Sequence, residues 1–387
     1  MVKLFENKKQ CYGCGACANI CPRKAIVMKQ DDEGFLYPYI LDDLCIECGL
    51  CRKTCQIEKE NQGLNEKLEF CFGIKTDDKI RYHSSSGGIY TVLSDTVLKN
   101  GGVCAGVKYD DHFNVVFELA DTEEKRNAFR GSKYVQGESR DIFLQIKRCL
   151  KEKKRVLFCG TPCQVNALKF YLRAMKINSD LLVTVDLVCH GVPSPRVWKS
   201  YIYELEQKYK SKLAKFTFRD KNNGWRGYHI LAEFEDGQVV RDNACTQSFV
   251  KLFAKDLMLR PSCYRCPYTC LKRAGDITIG DFWGIENIDA DFSDNLGISM
   301  AFFNSEKGRD IFKEIEDNVS IREFPIDVLK QPNLYKPSTK SCYYDKFWRN
   351  LKKGGYRKAA EKYGGYGKKQ ILYRIRDMID FKILKRK

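Results

Sequence analysis

One cysteine spacing occurs twice near the start of this chain. The first copy, C-x2-C-x2-C-x3-C, runs from Cys11 to Cys21 and precedes Pro22; the second runs from Cys45 to Cys55 and precedes Gln56. In such runs three thiolates bind one cubane 4Fe–4S cluster, and the fourth cysteine binds the neighbouring cluster. The repeat therefore predicts a bacterial-type two-cluster ferredoxin domain with crossed ligand sets, namely Cys11, Cys14, Cys17 and Cys55 for one cluster and Cys45, Cys48, Cys51 and Cys21 for the other.

A pair of zinc sites or unligated thiols is the alternative interpretation of these cysteines. Two matching runs of four favour clusters over either alternative. The chain has 19 cysteines, and its first ten residues are interrupted by charged side chains and contain no apolar signal-peptide segment. Disulfides are typical of secreted proteins, which carry such a segment. Because this sequence shows none and its cysteines share a metal-binding spacing, we expect these thiols to bind metal in a reducing cytoplasm.

The 387 residues are enough for two or three domains. Residues 1–57 are cysteine-dense, and residues 58–70 are polar and predict a linker. Over residues 71–335 short β-rich runs alternate with helical patterns, which is typical of an α/β domain, and residues 215–242 predict a small antiparallel insertion in it. Residues 336–387 are predicted to form a basic helical tail. The predicted fold class is thus α+β for the first domain and α/β for the second.

Further cysteines of the large domain follow predicted strands or share one loop. Cys163 opens a helix after the strand Arg155–Phe158, and Cys189 follows the strand Leu181–Val188. A helix N-terminus favours a thiolate, and strand ends in an α/β sheet tend to face one crevice. With Cys263 and Cys266 these residues predict a third 4Fe–4S site. Three alternatives stay open: Cys270 as a substitute ligand, zinc held by Cys263, Cys266 and Cys270, and a nucleophilic thiol at Cys163.

Two loops suit a phosphate or a flavin. Ser84–Gly88 leads into a predicted helix, where its hydroxyls and backbone N–H groups can accept a phosphate or a flavin edge; a plain N-capped helix is the alternative. Gly131–Lys133 adds a cation on a second loop. A flavin is chemically apt because it converts between two-electron and one-electron transfer. His83 and His190 are candidate acid–base residues, and the catalytic residues are otherwise unknown.

Taken together, these segments resemble the family of beta subunits of coenzyme F420 (deazaflavin) hydrogenases and dehydrogenases. The N-terminal two-cluster domain is similar to that of the subunits that oxidise the reduced deazaflavin, and the segment around Phe218–Lys221 resembles bacterial relatives. The resemblance covers residues 70 to 330 and rests on Ser84–Gly88, Gly131–Tyr134, Gly160–Gln164, Cys189–Pro193, and Cys263-x2-Cys266 followed by Gly275–Gly280.

This resemblance implies FAD in the α/β domain with a 4Fe–4S cluster near it. It implies an oxidoreductase that passes electrons between a two-electron carrier, such as the reduced deazaflavin, and one-electron acceptors, such as ferredoxin or another redox partner protein. The alternative is a non-enzymatic electron-transfer subunit that docks a partner reductase and binds no flavin. Carried over by motif, the cluster ligands are Cys163, Cys189, Cys263 and Cys266, and the flavin contacts are Ser84, Ser85, Ser86, Gly87, Gly88, Gly131, Ser132, Lys133 and Thr161.

Positive charge is concentrated at the C-terminus. Of the net charge of +17, residues 351–387 contribute +10, from thirteen Lys and Arg against three acids. A helix predicted over 369–384 has an apolar face that suits an anionic membrane surface, this protein's own domain or a partner subunit. The chain has no recognised nucleic-acid-binding module and no apolar run long enough to span a bilayer. We therefore expect a cytoplasmic protein, with contact at the inner membrane face as an alternative.

Overall fold

The structure, a computed structural model, describes residues 3–57, 59 and 61–367. The helix predicted over 369–384 and two positions of the predicted linker lie outside the described residues. Within the described part of the chain, no helix combines the length and apolar character needed to cross a membrane.

The N-terminal residues form two short helices and one hairpin. Helices α1 (Ala16–Ile20) and α2 (Leu50–Thr54) follow the two cysteine loops, and β1 (Ile26–Gln30) pairs antiparallel with β2 (Leu36–Ile40). Each helix begins after a glycine in the left-handed region, Gly15 at φ 73° and Gly49 at φ 74°. A side chain is disfavoured in that conformation, so these glycines permit the tight turns that carry three cysteines around each loop.

Eleven further strands follow within the described residues. They are β3 (Phe70–Lys75), β4 (Val103–Tyr109), β5 (Val115–Ala120), β6 (Val156–Gly160), β7 (Leu182–Leu187), β8 (Leu213–Thr217), β9 (Leu231–Phe234), β10 (Val239–Arg241), β11 (Ile277–Asp281), β12 (Ser299–Phe303) and β13 (Ser320–Pro325).

The remaining described helices alternate with these strands. The α-helices are α3 (Asp78–Tyr82), α4 (Ile89–Lys99), α5 (Glu123–Asn127), α6 (Ile142–Lys151), α7 (Pro162–Ala174), α8 (Pro195–Tyr209), α9 (Ser248–Ala254), α10 (Glu306–Ile315) and α11 (Tyr344–Tyr363). Short 3-10 turns lie at Asp42–Leu44, Pro261–Arg265, Ile285–Asn287, Glu316–Asn318, Ile326–Val328 and Pro332–Leu334.

Eight strands form the main sheet, in the order β13-β3-β12-β11-β7-β6-β4-β5. The central strands β11, β7, β6 and β4 are mutually parallel, and antiparallel pairs flank them on both sides. Helices α4 and α10 cover one face, and α6 and α7 cover the other. Helix α1 lies on α6 and α7, so the N-terminal cysteine loops are fixed against the large sheet.

The predicted insertion is a three-stranded antiparallel sheet of β8, β9 and β10. It shares an apolar cluster with α8, α9 and α11, built around aromatic side chains such as Trp198, Phe249 and Phe347. The predicted fold class, a ferredoxin-like start followed by an α/β domain with a small antiparallel sheet, is confirmed by this architecture.

Candidate redox site

The eight N-terminal cysteines surround two separate cavities. One cavity is lined by Cys11, Cys14, Cys17 and Cys55, and the other by Cys21, Cys45, Cys48 and Cys51. The last cysteine of each run therefore lines the cavity of the other run. We name the first set the inner site and the second the outer site.

Electrostatics agree with this grouping. Burial raises the pKa of the Cys14 thiol to about 12, and the neighbouring thiols of Cys55, Cys11 and Cys163 contribute to that rise. Burial also raises the pKa of Cys51, to which Cys48 and Cys21 add. Thiolates crowded in this way repel one another unless a cation lies among them, and cluster irons supply such a charge.

A third group of thiols converges in the large domain. Cys163 lies in the first turn of α7, where Pro162 occupies the first helical position and Thr161 and Gln164 form a reciprocal capping box. Cys189 follows β7, and Cys263 and Cys266 lie in and directly after the 3-10 turn Pro261–Arg265. Two strand ends and one loop therefore bring together the third site, which we define as Cys163, Cys189, Cys263 and Cys266.

The third-site thiols interact with one another. Burial raises the pKa of Cys163 to about 11 and that of Cys189 to about 12, and another thiol of the set contributes to each rise. Cys266 has a pKa well above its ordinary value because of burial and repulsion from Cys163, Cys263 and Cys189. The thiol of Cys270, by contrast, donates a hydrogen bond to the carbonyl oxygen of Lys272 at 3.1 Å.

The backbone beside these sulfurs fits a cluster. A Cβ atom on Gly191 would lie 2.8 Å from Leu259 Cδ1 and 3.2 Å from Cys263 Cβ, so a side chain there would displace the third-site loop. Among the described residues no three His, Cys, Asp or Glu side chains converge on the position of a single ion. A cubane differs from one ion in that each of its four irons takes its own thiolate, and the all-sulfur donor sets suit it.

A cleft of about 750 Å³ opens at the carboxyl ends of β6, β7 and β11. This is the usual ligand position in an α/β sheet. Of the predicted flavin contacts, Gly87 alone does not line the cleft: its N–H donates to Ser299 Oγ at 3.0 Å, and it lies against the backbone of β3. The cleft wall contains the others, Ser84, Ser85, Ser86, Gly88, Gly131, Ser132, Lys133 and Thr161, together with Cys189 of the third site.

Lys133 is the cation of this cleft that the sequence predicts. Its ammonium group donates to the carbonyl oxygens of Ala128 at 2.7 Å and Arg130 at 3.0 Å. Burial lowers the pKa of Lys133 to about 7, and the nearby Cys159 thiol opposes that shift. The ammonium group therefore changes its charge near neutral pH, beside the loops that suit a phosphate.

Comparison with known families identifies two domains in this chain. Residues 153–328 match the family described as the carboxyl terminus of the beta subunit of coenzyme F420 hydrogenase/dehydrogenase, and residues 10–58 match the 4Fe-4S dicluster domain. The chain therefore combines a domain of the coenzyme F420 hydrogenase/dehydrogenase beta-subunit family with an N-terminal 4Fe-4S dicluster domain. The N-terminal part of the chain is accordingly an iron–sulfur domain, while the identity of each ligand stays a prediction.

Individual known proteins are similar to this chain over different spans. One is the F(420)H(2) dehydrogenase component of Methanosarcina mazei designated by the letter F, which is 23% identical over 332 residues that cover 81% of this chain and 85% of that protein. An uncharacterized ferredoxin of Methanocaldococcus jannaschii is 30% identical over 54 residues, 14% of this chain and 69% of its own length. A solved structure of the F420-reducing NiFe hydrogenase complex from Methanosarcina barkeri contains a chain with a TM-score of 0.44 and 20% identity, covering 78% of this chain and 93% of its own.

Hydrogen bonds join the inner site to the third site. Gln56, which follows Cys55, is buried, and its amide nitrogen donates to the carbonyl oxygen of Cys163 at 2.9 Å. Its amide oxygen accepts from Tyr268, whose hydroxyl in turn accepts from Asn166 at 2.9 Å. In the sequence, Gln56 is distinguished only because it stands after the second cysteine run, where the first run is followed by proline. The contacts of Gln56 become visible only in the fold.

The far wall of the cleft contains polar residues that sequence reasoning missed. Arg219 pairs with Asp281 at 2.9 Å, and its guanidinium lies 5.1 Å from the ring centroid of Trp283. His190, a candidate acid–base residue, is hydrogen-bonded by both ring nitrogens, to Asp256 at 2.7 Å and to Asn333 at 3.2 Å. His83, the other candidate, is exposed and contacts Tyr82 edge to face.

Proposed function

We propose that this chain is an iron–sulfur flavoprotein oxidoreductase that passes electrons between a two-electron carrier and one-electron acceptors, using FAD and three 4Fe–4S clusters. One observation carries the proposal: the third site lies between the cleft and the inner site. Cys189 lines the cleft, and Gln56, the residue directly after Cys55, donates a hydrogen bond to the carbonyl oxygen of Cys163. Groups that exchange electrons must lie close together, and this order of sites supplies a continuous series.

The proposed parts are assigned to segments as follows. Residues 1–57 hold two clusters, residues 58–70 link the domains, residues 71–335 hold FAD and the third cluster, and residues 336–387 include the basic tail. The phosphates and ring edge of FAD are bound by the cleft-lining residues of the two loops and by Thr161, namely Ser84, Ser85, Ser86, Gly88, Gly131, Ser132, Lys133 and Thr161. A flavin exchanges two electrons with an organic carrier and single electrons with clusters, which is the conversion that an enzyme with this site order requires.

The outer site is the proposed point of contact with a redox partner protein. It lies at the surface, with Cys48 exposed and the neighbouring Ile46 60% exposed, whereas Cys11 of the inner site is buried. A one-electron acceptor that contacts this face reaches the outer cluster without entering the protein.

The proposed two-electron carrier is the reduced deazaflavin coenzyme F420. Support comes from the Methanosarcina mazei relative, a component of an F(420)H(2) dehydrogenase that aligns over most of this chain. The cleft is large enough for a flavin and is open to solvent, and its wall carries cationic side chains such as Lys133 and Lys336.

The first prediction concerns cofactor content. After anaerobic purification of the full chain, we expect about twelve irons per chain, corresponding to three cubane clusters, and a visible spectrum with a flavin shoulder. Iron analysis, acid extraction of the flavin and the visible spectrum measure these quantities directly.

Other cofactor contents lead to different conclusions. About eight irons and no flavin would contradict both the third cluster and the flavin, and would favour an electron-transfer subunit that docks a reductase. The holoprotein is then mixed anaerobically with reduced F420, reduced nicotinamide or reduced ferredoxin. Cluster reduction by nicotinamide or ferredoxin but not by F420 would overturn the proposed carrier and leave the redox class standing.

The second prediction concerns pH. Because burial holds the pKa of Lys133 at about 7, its ammonium group is charged below pH 7 and neutral above it. We expect FAD, whose phosphates are anionic throughout this range, to bind flavin-depleted protein more tightly at pH 6 than at pH 9. Since a hydrogen bond to a charged group contributes about 1.5–3 kcal/mol, the dissociation constant is expected to rise about tenfold or more.

Two lysine variants test this assignment by absorbance titration with FAD. Lys133→Met is expected to bind weakly at both pH values and to lose the pH dependence. Lys336→Met, which removes an exposed lysine from another part of the cleft wall, is the matched control and should retain it. An unchanged pH dependence in Lys133→Met would show that Lys133 does not contact the flavin phosphates.

A further inference from the structure

A buried arginine lies against the inner site. The side chain of Arg260 is 1% exposed, and its Nη2 lies 3.8 Å from the sulfur of Cys11. Nε donates to the carbonyl oxygen of Cys11 at 2.8 Å, Nη2 donates to that of Leu36 at 2.9 Å, and Nη1 donates to Gln136 Oε1 at 2.9 Å. The guanidinium is thus held in one position beside a cluster ligand.

The surroundings are shaped for this guanidinium. The guanidinium carbon Cζ of Arg260 lies 4.3 Å from the ring centroid of Tyr37 and 5.4 Å from that of Phe35. A Cβ atom on Gly13 would lie 2.5 Å from Arg260 Nη1. Gly13 lies between two cysteines of the inner site, so the absence of a side chain there makes room for the arginine as well as for the cluster loop.

The charge of Arg260 is not neutralised by the contacts that the described residues give it. Those contacts are carbonyl oxygens, an amide oxygen, aromatic rings and the Cys11 sulfur. Near the outer site, by comparison, Arg23 lines the cavity but is exposed. Water and salt screen an exposed charge far more than a buried one, so the two sites differ in electrostatic environment.

We infer that Arg260 raises the reduction potential of the inner cluster above that of the outer cluster. When a cluster accepts one electron without a proton, it gains one negative charge. A fixed cation beside its sulfur stabilises the reduced form, since net charge and hydrogen bonds to sulfur set cluster potentials. The inner cluster is then the preferred site of a single electron in this domain.

The position of Arg260 in the chain links this effect to the third site. Its backbone N–H donates to the carbonyl oxygen of Val192 at 3.0 Å, and its carbonyl oxygen accepts from the N–H of Cys263 at 2.9 Å. The residue that tunes the inner cluster is therefore part of the loop that carries a third-site thiol. The inference rests on the cluster ligands of the proposed function and does not depend on the flavin.

Redox titration followed by electron paramagnetic resonance tests the inference. Arg260→Gln removes the charge, and Arg260→Lys is the matched control that keeps it. We expect Arg260→Gln to lower the equilibrium constant for reduction of one cluster about tenfold, which corresponds to a fall of ~59 mV in the potential of a one-electron couple. Arg260→Lys is expected to change that potential by much less. With iron content equal to that of the unsubstituted protein, an unchanged potential in Arg260→Gln, or an equal drop in Arg260→Lys, would overturn the inference.

A second variant tests the inference without touching the buried arginine. Cys48→Ser removes an exposed ligand of the outer site, and we expect it to abolish the lower-potential signal of the two ferredoxin-type clusters. Loss of the higher-potential signal instead would contradict the inference even if Arg260→Gln failed to fold. Neither result depends on flavin or on the third cluster, so failure of the proposed function is recognised separately by the cofactor content.

Discussion

Replacement of Cys163 by serine is expected to remove about four of twelve irons per chain and one cluster signal, while the two N-terminal clusters persist. Cys163 belongs to the third site. Its backbone carbonyl oxygen accepts a hydrogen bond from Gln56, and its sulfur lies at hydrogen-bond distance, 3.2 Å, from the hydroxyl oxygen of Thr161. Serine preserves the size of the side chain and the helix start, so the loss is chemical. Iron analysis and electron paramagnetic resonance of the reduced protein measure it.

The same variant should interrupt electron transfer. If the third site connects the cleft with the inner site, reduced F420 should still reduce the flavin of Cys163→Ser, but reduction of the N-terminal clusters should slow by orders of magnitude. Stopped-flow absorbance separates the two events because flavin and clusters absorb differently. An N-terminal reduction rate equal to that of the unsubstituted protein would show that electrons bypass the third site.

Cys270→Ser is the matched control for this experiment. Cys270 lies in the same loop region as Cys266, but its thiol donates to the carbonyl oxygen of Lys272. We expect its replacement to leave the iron content and the three signals unchanged. If Cys270→Ser lost a cluster while Cys163→Ser kept all of them, the ligand set would have to be redrawn around the loop cysteines alone.

Local spacing explains why much of the fold could be predicted. The cysteine runs specify cluster loops within about eleven residues each. The predicted strands Arg155–Phe158 and Leu181–Val188 lie close to the observed bounds of β6 and β7. Elements without such a pattern were missed. The alternating pattern did not resolve strand β5, and it did not divide the region from Ile277 into β11, β12, α10 and β13.

The electrostatic part of the site could not be predicted because its partners are distant in sequence. Arg260 contacts Cys11 across 249 positions, and Gln56 contacts Cys163 across 107. Neither residue type carries a signal of its own, since a buried arginine and an exposed one look alike in a sequence. The cysteines, by contrast, could be proposed together as cluster ligands, because few roles other than metal binding suit so many thiols in one chain.

The largest expected effect on folding stability comes from Arg273. Its side chain is 1% exposed, and its Nη2 lies 3.0 Å from the fully buried Asp186. The guanidinium also donates to the carbonyl oxygens of Tyr268, Cys270 and Leu187, and thereby holds the loop after Cys266 against the end of β7. Arg273→Met would leave the Asp186 carboxylate buried without its counterion, which typically costs about 3–5 kcal/mol.

Urea unfolding under anaerobic conditions measures this loss against an exposed pair. Arg322→Met breaks an ion pair with Asp289 in which the arginine side chain is 51% exposed, and such pairs contribute about 0–1 kcal/mol. Combining Arg273→Met with Asp186→Asn should restore part of the free energy of unfolding, because the unpaired charge is then gone. Equal losses in Arg273→Met and Arg322→Met would refute a structural role for the buried pair. The expected inequality would show that the buried Arg273–Asp186 pair stabilises the connection between β7 and the cysteine loop. Asp186 contributes to the same connection by accepting from the backbone N–H groups of Ala274 and Gly275 at 2.9 and 2.8 Å.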